Sequence, residues 1–347
     1  MAKPAKKRTK KYKQQKPRQP MLLPLPVPTI TAPKYIDYLN TRFDLANQQF
    51  LEAIENALKT HDKIIISFRN TKILLATAAL VIYSILDTHG KGKTISIILS
   101  STSDSVNSCI KNCGGFQSPE KRMDTLNNKT GIPVILGNNA EVIALQKKII
   151  DTVVELYLDK EAPNFTDRRF EIGIAIQETL DNVGRHAYPE MNHEDRLWWF
   201  CCDMIEDKLF IAIYDAGRGI PNAILQSDVD YAKLIEMYYE DVDSAKTQLK
   251  DLPAPTVTAH LRETIADEAL IRAAMSSELS TTKKDKHGKG SSRIKALIKN
   301  EKESFLLIFS CKGLYQYSLF KEDGDDEPEI TFALQSHLNG TLIQWSL

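Results

Sequence analysis

The stretch Glu178-Thr179-Leu180-Asp181-Asn182 opens a set of four short motifs that decides how this chain of 347 residues is interpreted. It runs on into Arg185-His186-Ala187-Tyr188. Short polar and glycine-containing motifs arise often by chance, so each motif alone is weak evidence. All four in one order are much stronger evidence. The later three are Asp215-Ala216-Gly217-Arg218-Gly219-Ile220, His287-Gly288-Lys289-Gly290-Ser291-Ser292 and Asn339-Gly340-Thr341.

The first motif lies in a stretch with helical periodicity. Apolar residues recur at helical spacing from Ile172 to Val183, which predicts an amphipathic helix with one buried face. Glu178 and Asn182 are four positions apart, so they project from the same side of that helix. An amide oxygen can bind Mg²⁺ beside phosphate oxygens and water. A carboxylate one turn away can accept a proton from water or a hydroxyl group. An ordinary polar helix surface explains these residues equally well.

The second motif follows a predicted strand, Leu209–Tyr214, which is apolar and rich in β-forming residues. Asp215 at the end of this strand can accept a hydrogen bond from an exocyclic amine. Gly217 and Gly219 would let the backbone approach a flat ring. The alternative is a strand followed by an ordinary glycine turn.

The third motif precedes a predicted helix over Arg293–Lys299. Glycines such as Gly288 and Gly290 ahead of a helix can aim free N–H groups at an anion, which suits a polyphosphate. A flexible basic loop with a serine N-cap is the alternative and is the better explanation of this motif when it is taken alone.

The fourth motif, Asn339-Gly340-Thr341, lies directly before the last predicted strand, Leu342–Trp345. A hairpin turn is the alternative explanation of the Asn-Gly pair. The motif is stronger evidence than it would be alone, because it follows the other three in order.

Together the four motifs resemble the ATP-binding domain of the gyrase, heat-shock chaperone, histidine kinase and mismatch-repair superfamily (GHKL), over roughly residues 145 to 347. The resemblance implies that ATP and Mg²⁺ are the cofactors. It implies Asn182 as the Mg²⁺ ligand, Glu178 as the catalytic candidate and Asp215 as the residue that recognises the adenine amine. The other implied cofactor-binding residues are Gly217, Gly219, Ile220, Gly288, Gly290, Ser291 and Thr341.

Within the superfamily, the first motif most resembles the anti-sigma-factor serine kinases and their stand-alone relatives. The chain ends at Leu347, directly after the last motif, so we expect no transducer domain of the gyrase, chaperone or mismatch-repair type. None of His61, His89 and His186 lies in the context of a phosphoacceptor histidine, and His186 belongs to the motif itself. A sensor histidine kinase is therefore disfavoured.

Two features depart from the family pattern. Ser291 and Ser292 stand where a large apolar residue usually follows the second lid glycine. The segment of about residues 221–290 is also long, with a charged helical stretch over Tyr231–Lys250 and a second helical stretch over Asp267–Met275. A long inserted segment in a compact domain is usually functional. We expect it to be a closing lid or a partner surface.

The region 34–130 is predicted to be a separate, smaller unit. Strands at Lys63–Phe68 and Thr94–Leu99 alternate with helices at Leu74–Leu86 and Ser103–Asn112, which indicates a small α/β layer structure with partly parallel strands. This order resembles a STAS domain. Its phosphoacceptor position would fall near Thr77, but a buried helix threonine is the favoured interpretation there. The unit is then a fused docking or regulatory domain without a phosphorylation switch.

The expected fold class is thus α/β (α+β), with a smaller STAS-like domain ahead of an ATP-binding domain at 131–347. Residues 1–33 hold nine Lys or Arg and no acidic residue, which leaves 36 basic and 45 acidic residues in the remainder. We expect a disordered basic and proline-rich tail. Such a tail suits nucleic acid or an anionic surface, and a purely solubilising role explains it equally well.

The cysteine pattern and the apolar runs indicate the cellular compartment that this protein is expected to occupy. The five cysteines form no metal-ligand or disulfide spacing, which favours a reducing cytoplasm. The longest apolar run, Ile73–Leu86, is too short to span a bilayer, so no transmembrane segment is expected and a soluble protein is predicted.

Two functions are compatible with the sequence. The favoured one is an ATP-binding regulatory protein, in which Mg²⁺-ATP orders a lid and controls the interaction with an unknown protein partner. A second copy of this chain, in a homodimer, is one such partner. The alternative is a serine/threonine protein kinase of the anti-sigma-factor type. Slow ATP hydrolysis is compatible with either function.

Overall fold

The structure is a computed structural model that describes residues 27–38, 44–205, 207–226, 231–276, 290–298, 303–319 and 328–347. Its strands are β1 (Thr29–Thr31), β2 (Tyr35–Ile36), β3 (Lys63–Ser67), β4 (Ile73–Leu74), β5 (Thr94–Ile98), β6 (Ile135–Asn138), β7 (Leu197–Ile205), β8 (Lys208–Asp215), β9 (Phe305–Tyr317) and β10 (Glu329–Ser346). Its helices are α1 (Asp44–Thr60), α2 (Ala76–His89), α3 (Asp104–Asn112), α4 (Pro119–Asn127), α5 (Val142–Tyr157), α6 (Phe165–Asn182), α7 (Ile220–Leu225), α8 (Tyr231–Tyr238), α9 (Val242–Leu249), α10 (Ala254–Thr264), α11 (Asp267–Met275) and α12 (Gly290–Ala296).

A five-stranded sheet organises the second half of the chain. Its strand order is β6-β7-β8-β10-β9, and every neighbouring pair is antiparallel. The predicted helix through the first motif is confirmed as α6, and the predicted strand before the second motif is confirmed as β8. The mixed α/β fold class is confirmed as well.

Side chains bury both faces of this sheet. On β7, Trp198 and Phe200 belong to the core on one face, whereas Trp199 and Cys201 belong to the core on the other. This alternation is the two-residue period of a β-strand. Helices α5, α6 and α12 cover the first face, because their buried residues share its core.

The second face is covered by the first part of the chain. There, β1, β3 and β5 form a parallel three-stranded sheet, and helices α1 and α2 lie between this sheet and the five-stranded one. The predicted strands and helices of this region are confirmed as β3, α2, β5 and α3. Thr77 in α2 is buried, as the buried-threonine interpretation predicts. The resemblance to a STAS domain stays a prediction.

Two features of this region differ from the sequence-based expectation. Strand β1 lies inside the stretch predicted as a tail, because Thr29–Thr31 pair with Ile65–Ser67 of β3. Residues 1–26 of that predicted tail lie outside the described residues. The unit predicted over 34–130 also shares one continuous core with the five-stranded sheet, so it packs closely against the sheet.

Helices α7 to α11 form a compact insert within the segment expected to be a lid. They enclose a small hydrophobic core of their own, which includes Leu234, Leu261 and Leu270. The helical stretch predicted over Tyr231–Lys250 is confirmed as helical, and it is divided into α8 and α9. The insert is joined to the sheet through Asp267, whose carboxylate accepts a hydrogen bond from the Lys312 backbone N–H at 2.8 Å.

None of the helices in the described parts of the chain combines the length and the apolar character that a membrane span needs. All five cysteine thiols are free, and four of them are buried.

Candidate functional site

The first motif spans the end of α6 and the turn that follows it. Glu178 and Asn182 both lie on α6, one turn apart, and both are partly buried. The helix then widens into a π-helical turn over Val183–Ala187. Such turns are rare and are found frequently at functional sites. Glu178 and Asn182 thus lie on the same side of a regular helix, near its C-terminal end, as predicted.

The first and second motifs are in direct contact. The Arg218 backbone N–H donates to the Ala187 carbonyl at 3.0 Å, and the Ala216 N–H donates to the Tyr188 hydroxyl at 2.8 Å. Gly217 lies so close to Ala187 that an added Cβ would be 2.5 Å from the Ala187 carbonyl oxygen. Glycine at 217 is thus needed for this approach.

Asp215 ends β8 and is buried, with 6% of its surface exposed. Burial raises the pKa of this carboxyl to about 7, although the backbone N–H groups of Gly217 and Thr341 both donate to it and lower the pKa in part. The Gly217 hydrogen bond measures 2.9 Å. A buried carboxylate whose pKa is strongly raised by desolvation is often found at a binding or catalytic site.

The fourth motif lies beside Asp215. Thr341 on β10 is the register partner of Asp215 on β8. Gly340 has a positive φ of 88°, and an added Cβ would be 1.9 Å from the Asp215 carbonyl oxygen. The motif lies within β10, at an irregularity of its pairing with β9 between Leu338 and Thr341, so the hairpin-turn alternative is wrong.

Ser310 on β9 joins the second motif to the fourth. Its hydroxyl accepts a hydrogen bond from the Ile220 N–H at 2.9 Å and donates to the Gly340 carbonyl at 2.8 Å. Gly219 lies against the same side chain, with an added Cβ 2.9 Å from the Ser310 hydroxyl oxygen and a φ of 79°. The second glycine of the motif is therefore required by both conformation and space.

The third motif is described from Gly290 onward, and Gly288 lies outside the described residues. Helix α12 begins at Gly290 and includes Ser291, so it starts earlier than the predicted helix at Arg293. An added Cβ on Gly290 would be 3.3 Å from Glu178 Oε2. Arg293 forms an ion pair with Glu178 through Nη1 and Oε1. The third motif thus contacts the first.

Several residues of this site were not assigned a role from the sequence. They are Ser310, Tyr188, Arg293 and Asn139, whose side-chain N–H donates to the Leu180 carbonyl at 3.4 Å. A polar residue inside the apolar stretch Phe305–Cys311 is a sequence signal for Ser310. Arg293 and Asn139 contact residues that are distant in sequence, so no local pattern reveals them.

The side chains of this site suit a metal ion that is held mainly by the phosphates of a bound nucleotide and by water. Among the residues that the structure describes, no group of three His, Cys, Asp or Glu side chains is placed to hold a metal ion. Magnesium usually keeps several water and phosphate ligands and takes only one or two from the protein. A single amide such as Asn182 fits that requirement when polyphosphate supplies further oxygens.

Neither a scan against protein-family models nor a search of curated proteins found a match to this chain.

Proposed function

We propose that this protein binds Mg²⁺-ATP at the site between α6, β8, β10 and α12 and uses it as a regulatory ligand. The observation that carries the proposal is a chain of contacts: the first motif contacts the second and the third, and the second contacts the fourth beside the buried carboxylate of Asp215. This is the set of residues on which the resemblance to the GHKL superfamily rests.

In this proposal Asp215 accepts a hydrogen bond from the adenine amine, with Thr341 beside it. Gly217, Gly219 and Gly340 keep the surrounding backbone close, as their added Cβ contacts indicate. Asn182 would hold Mg²⁺, which when bound neutralises phosphate charge. The role of the insert α7 to α11 as a lid or partner surface remains part of the proposal.

Two contacts support a regulatory role over efficient turnover. Before nucleotide binds, Glu178, the candidate base, is engaged by the Arg293 guanidinium, so turnover first requires this ion pair to open. On the other face, the Tyr214 hydroxyl donates to the Asn339 carbonyl at 2.6 Å, while its ring lies in the core shared with α2. The first part of the chain thus contacts the residue next to Asp215.

Nucleotide binding is the decisive test. Isothermal titration of the purified protein with ATP and with GTP, with and without Mg²⁺, should show Mg²⁺-dependent binding of ATP and much weaker binding of GTP. Asp215→Asn should weaken ATP by about tenfold or more, because the amide presents an N–H group toward the adenine amine. Asp203→Asn, at a half-exposed position of β7, is the matched control. Equal affinity for ATP and GTP, or an unaffected Asp215→Asn variant, would refute adenine recognition by this residue.

Turnover separates the regulatory protein from the kinase. With γ-labelled ATP, we expect tight binding with little free phosphate and no protein-bound label. Label on protein that is lost in Glu178→Ala would replace the proposal by a serine/threonine kinase with Glu178 as its base. Binding of a partner that changes with ATP would support the regulatory role directly.

A further inference from the structure

The ion pair between Arg293 and Glu178 places a positive side chain at the proposed phosphate end of the site. Glu178 is largely buried, with 17% of its side chain exposed, whereas Arg293 retains 50% exposure. The carboxylate is therefore the fixed partner and the guanidinium the adjustable one. The exchange removes the counter-charge from a largely buried carboxylate, so it requires a partner with more charge and better geometry than Glu178 offers.

The backbone that carries Arg293 is fixed. The Trp345 indole N–H donates to the Ile294 carbonyl at 3.0 Å, and the Arg168 guanidinium donates to the Leu297 carbonyl at 3.2 Å. Ile294, the neighbour of Arg293, is buried in the core below α6. Any change in the partner of Arg293 is thus a movement of its side chain and not of α12.

The alternative partner is a phosphate beside Asn182. Asn182 is one helical turn from Glu178, so a phosphate held near it with Mg²⁺ lies within the reach of an arginine side chain that contacts Glu178. A terminal phosphate carries more negative charge than a carboxylate and accepts bidentate hydrogen bonds from arginine. Only ATP, and not ADP, presents a third phosphate to this position.

We propose that Arg293 exchanges its ion pair with Glu178 for one with the terminal phosphate of ATP, and so distinguishes ATP from ADP. This inference rests on the proposed function of the site. The exchange leaves Glu178 without its counter-charge only when the triphosphate is bound. Without Arg293, the terminal phosphate of ATP would lose this bidentate contact, whereas ADP has no third phosphate to lose it.

The test is the ratio of ATP to ADP affinity, measured by isothermal titration with Mg²⁺. Arg293→Gln should weaken ATP by about tenfold or more and ADP by less than about threefold. Arg293→Lys should lie between this variant and the wild type, because it keeps the charge and loses the bidentate geometry. Arg169→Gln is the matched control, since Arg169 also lies on the surface and pairs with Asp151 at 3.4 Å.

Glu178→Gln tests the same exchange in the opposite direction. With no carboxylate to compete for Arg293, ATP should bind about threefold or more tightly, and this gain in the ratio of ATP to ADP should be absent when Arg293→Gln is also present. This second variant keeps the test valid if Arg293→Gln does not fold, which circular dichroism would reveal.

The outcomes separate this inference from the proposed function. A wild-type protein that binds no nucleotide overturns both. A wild-type protein whose ATP binding depends on Asp215, but whose ratio of ATP to ADP affinity is unchanged in Arg293→Gln, overturns only the role of Arg293. Equal losses of ATP and ADP affinity in Arg293→Gln would indicate a purely structural ion pair and overturn it as well.

Discussion

The indole N–H of Trp199 on β7 donates a hydrogen bond at 3.0 Å to the Asp87 carboxylate of α2, across the contact between the first part of the chain and the five-stranded sheet. Asp87 also accepts two hydrogen bonds from Arg122, at 2.7 and 2.5 Å. Both side chains of this ion pair are buried, and the Arg122 guanidinium lies 4.6 Å from the Tyr83 ring centre. Burial raises the pKa of Asp87, although Arg122 and Trp199 both favour its carboxylate form.

This contact leads toward the proposed nucleotide site through packed rings. Trp199 lies 5.9 Å from Tyr214, measured between ring centres. Tyr214 in turn precedes Asp215 and donates to the Asn339 carbonyl. The orientation of α2 on the sheet is thus physically linked to the residues around the candidate adenine position.

Trp199→Phe should destabilise the protein by removing the N–H donor from a buried carboxylate. The lost hydrogen bond to a charged, buried group contributes about 1–3 kcal/mol, in addition to the cost of the smaller ring. The free energy of unfolding in urea, followed by circular dichroism, measures the effect.

Trp198→Phe is the matched control for this change. Trp198 is the preceding residue and is equally buried, but its indole nitrogen has no hydrogen-bond partner among the residues that the structure describes. The Trp198→Phe substitution therefore removes only ring volume and no hydrogen bond within the described parts of the chain. Equal destabilisation by the two substitutions would contradict a stabilising role for the hydrogen bond to Asp87.

The sequence predicts well those parts of the fold that depend on local periodicity. The apolar repeat of α6 and the β-rich run of β8 both form the expected elements. The continuous apolar run over Leu197–Cys202 is typical of a strand buried on both faces, and it is the signal that predicts a covering layer on the second face.

Contacts between distant residues could not be predicted in this way. Arg293 and Glu178 are 115 positions apart, and Ser310 contacts Ile220 across 90 positions. Nothing in the local sequence specifies either partner, because each contact depends on how α12 and β9 pack in the finished fold. The described parts of the four motifs contact one another in pairs, and the motif order leaves these connecting side chains undetermined.

Gly340→Ala should be strongly destabilising and should disturb the site. The added Cβ would be 1.9 Å from the Asp215 carbonyl oxygen, so β8 and β10 must separate in addition to the strain of a positive φ. We expect a loss of about 3 kcal/mol or more in the free energy of unfolding.

Gly92→Ala provides the comparison for the Gly340 substitution. Gly92 has a similar φ of 78°, but an added Cβ there meets nothing within 4 Å. Its substitution should lower the free energy of unfolding by only about 1–2 kcal/mol, because it adds the backbone strain of a positive φ and no steric clash. A cost for Gly340→Ala as small as that of Gly92→Ala would argue against the close approach of the two strands.

Asn182→Ala should remove the dependence of nucleotide affinity on Mg²⁺, because it deletes the proposed metal ligand. Titrations with ATP in the presence of Mg²⁺ and in the presence of a chelator give the two affinities. Gln177→Ala is the control, since Gln177 is an exposed amide residue of the same helix. An undiminished Mg²⁺ effect in Asn182→Ala would remove this residue from the metal site.

Asp215→Asn should stabilise the protein without nucleotide above pH 7. The carboxyl keeps its proton up to about pH 7 when folded, whereas its ordinary value is 3.8, so the folded state binds the extra proton between these values. Stability is therefore lost as pH rises from about 4 to about 7. Asparagine does not ionise, and the variant should gain up to about 4 kcal/mol over the wild type at pH 8 and little at pH 4. Urea unfolding at both pH values, with Asp203→Asn as the control, tests the expectation.

The same carboxyl should make adenine recognition depend on pH. Its ionised form is the better acceptor for the adenine amine, so affinity should rise up to about tenfold per pH unit below 7 and level off above it. Adenosine is the suitable probe, because it carries no phosphate groups that titrate in this range, and NMR titration detects its weaker binding. Inosine, which lacks the amine, should bind poorly at every pH. The rise should disappear in Asp215→Asn, and a pH profile that persists in this variant would mean that another group controls the binding.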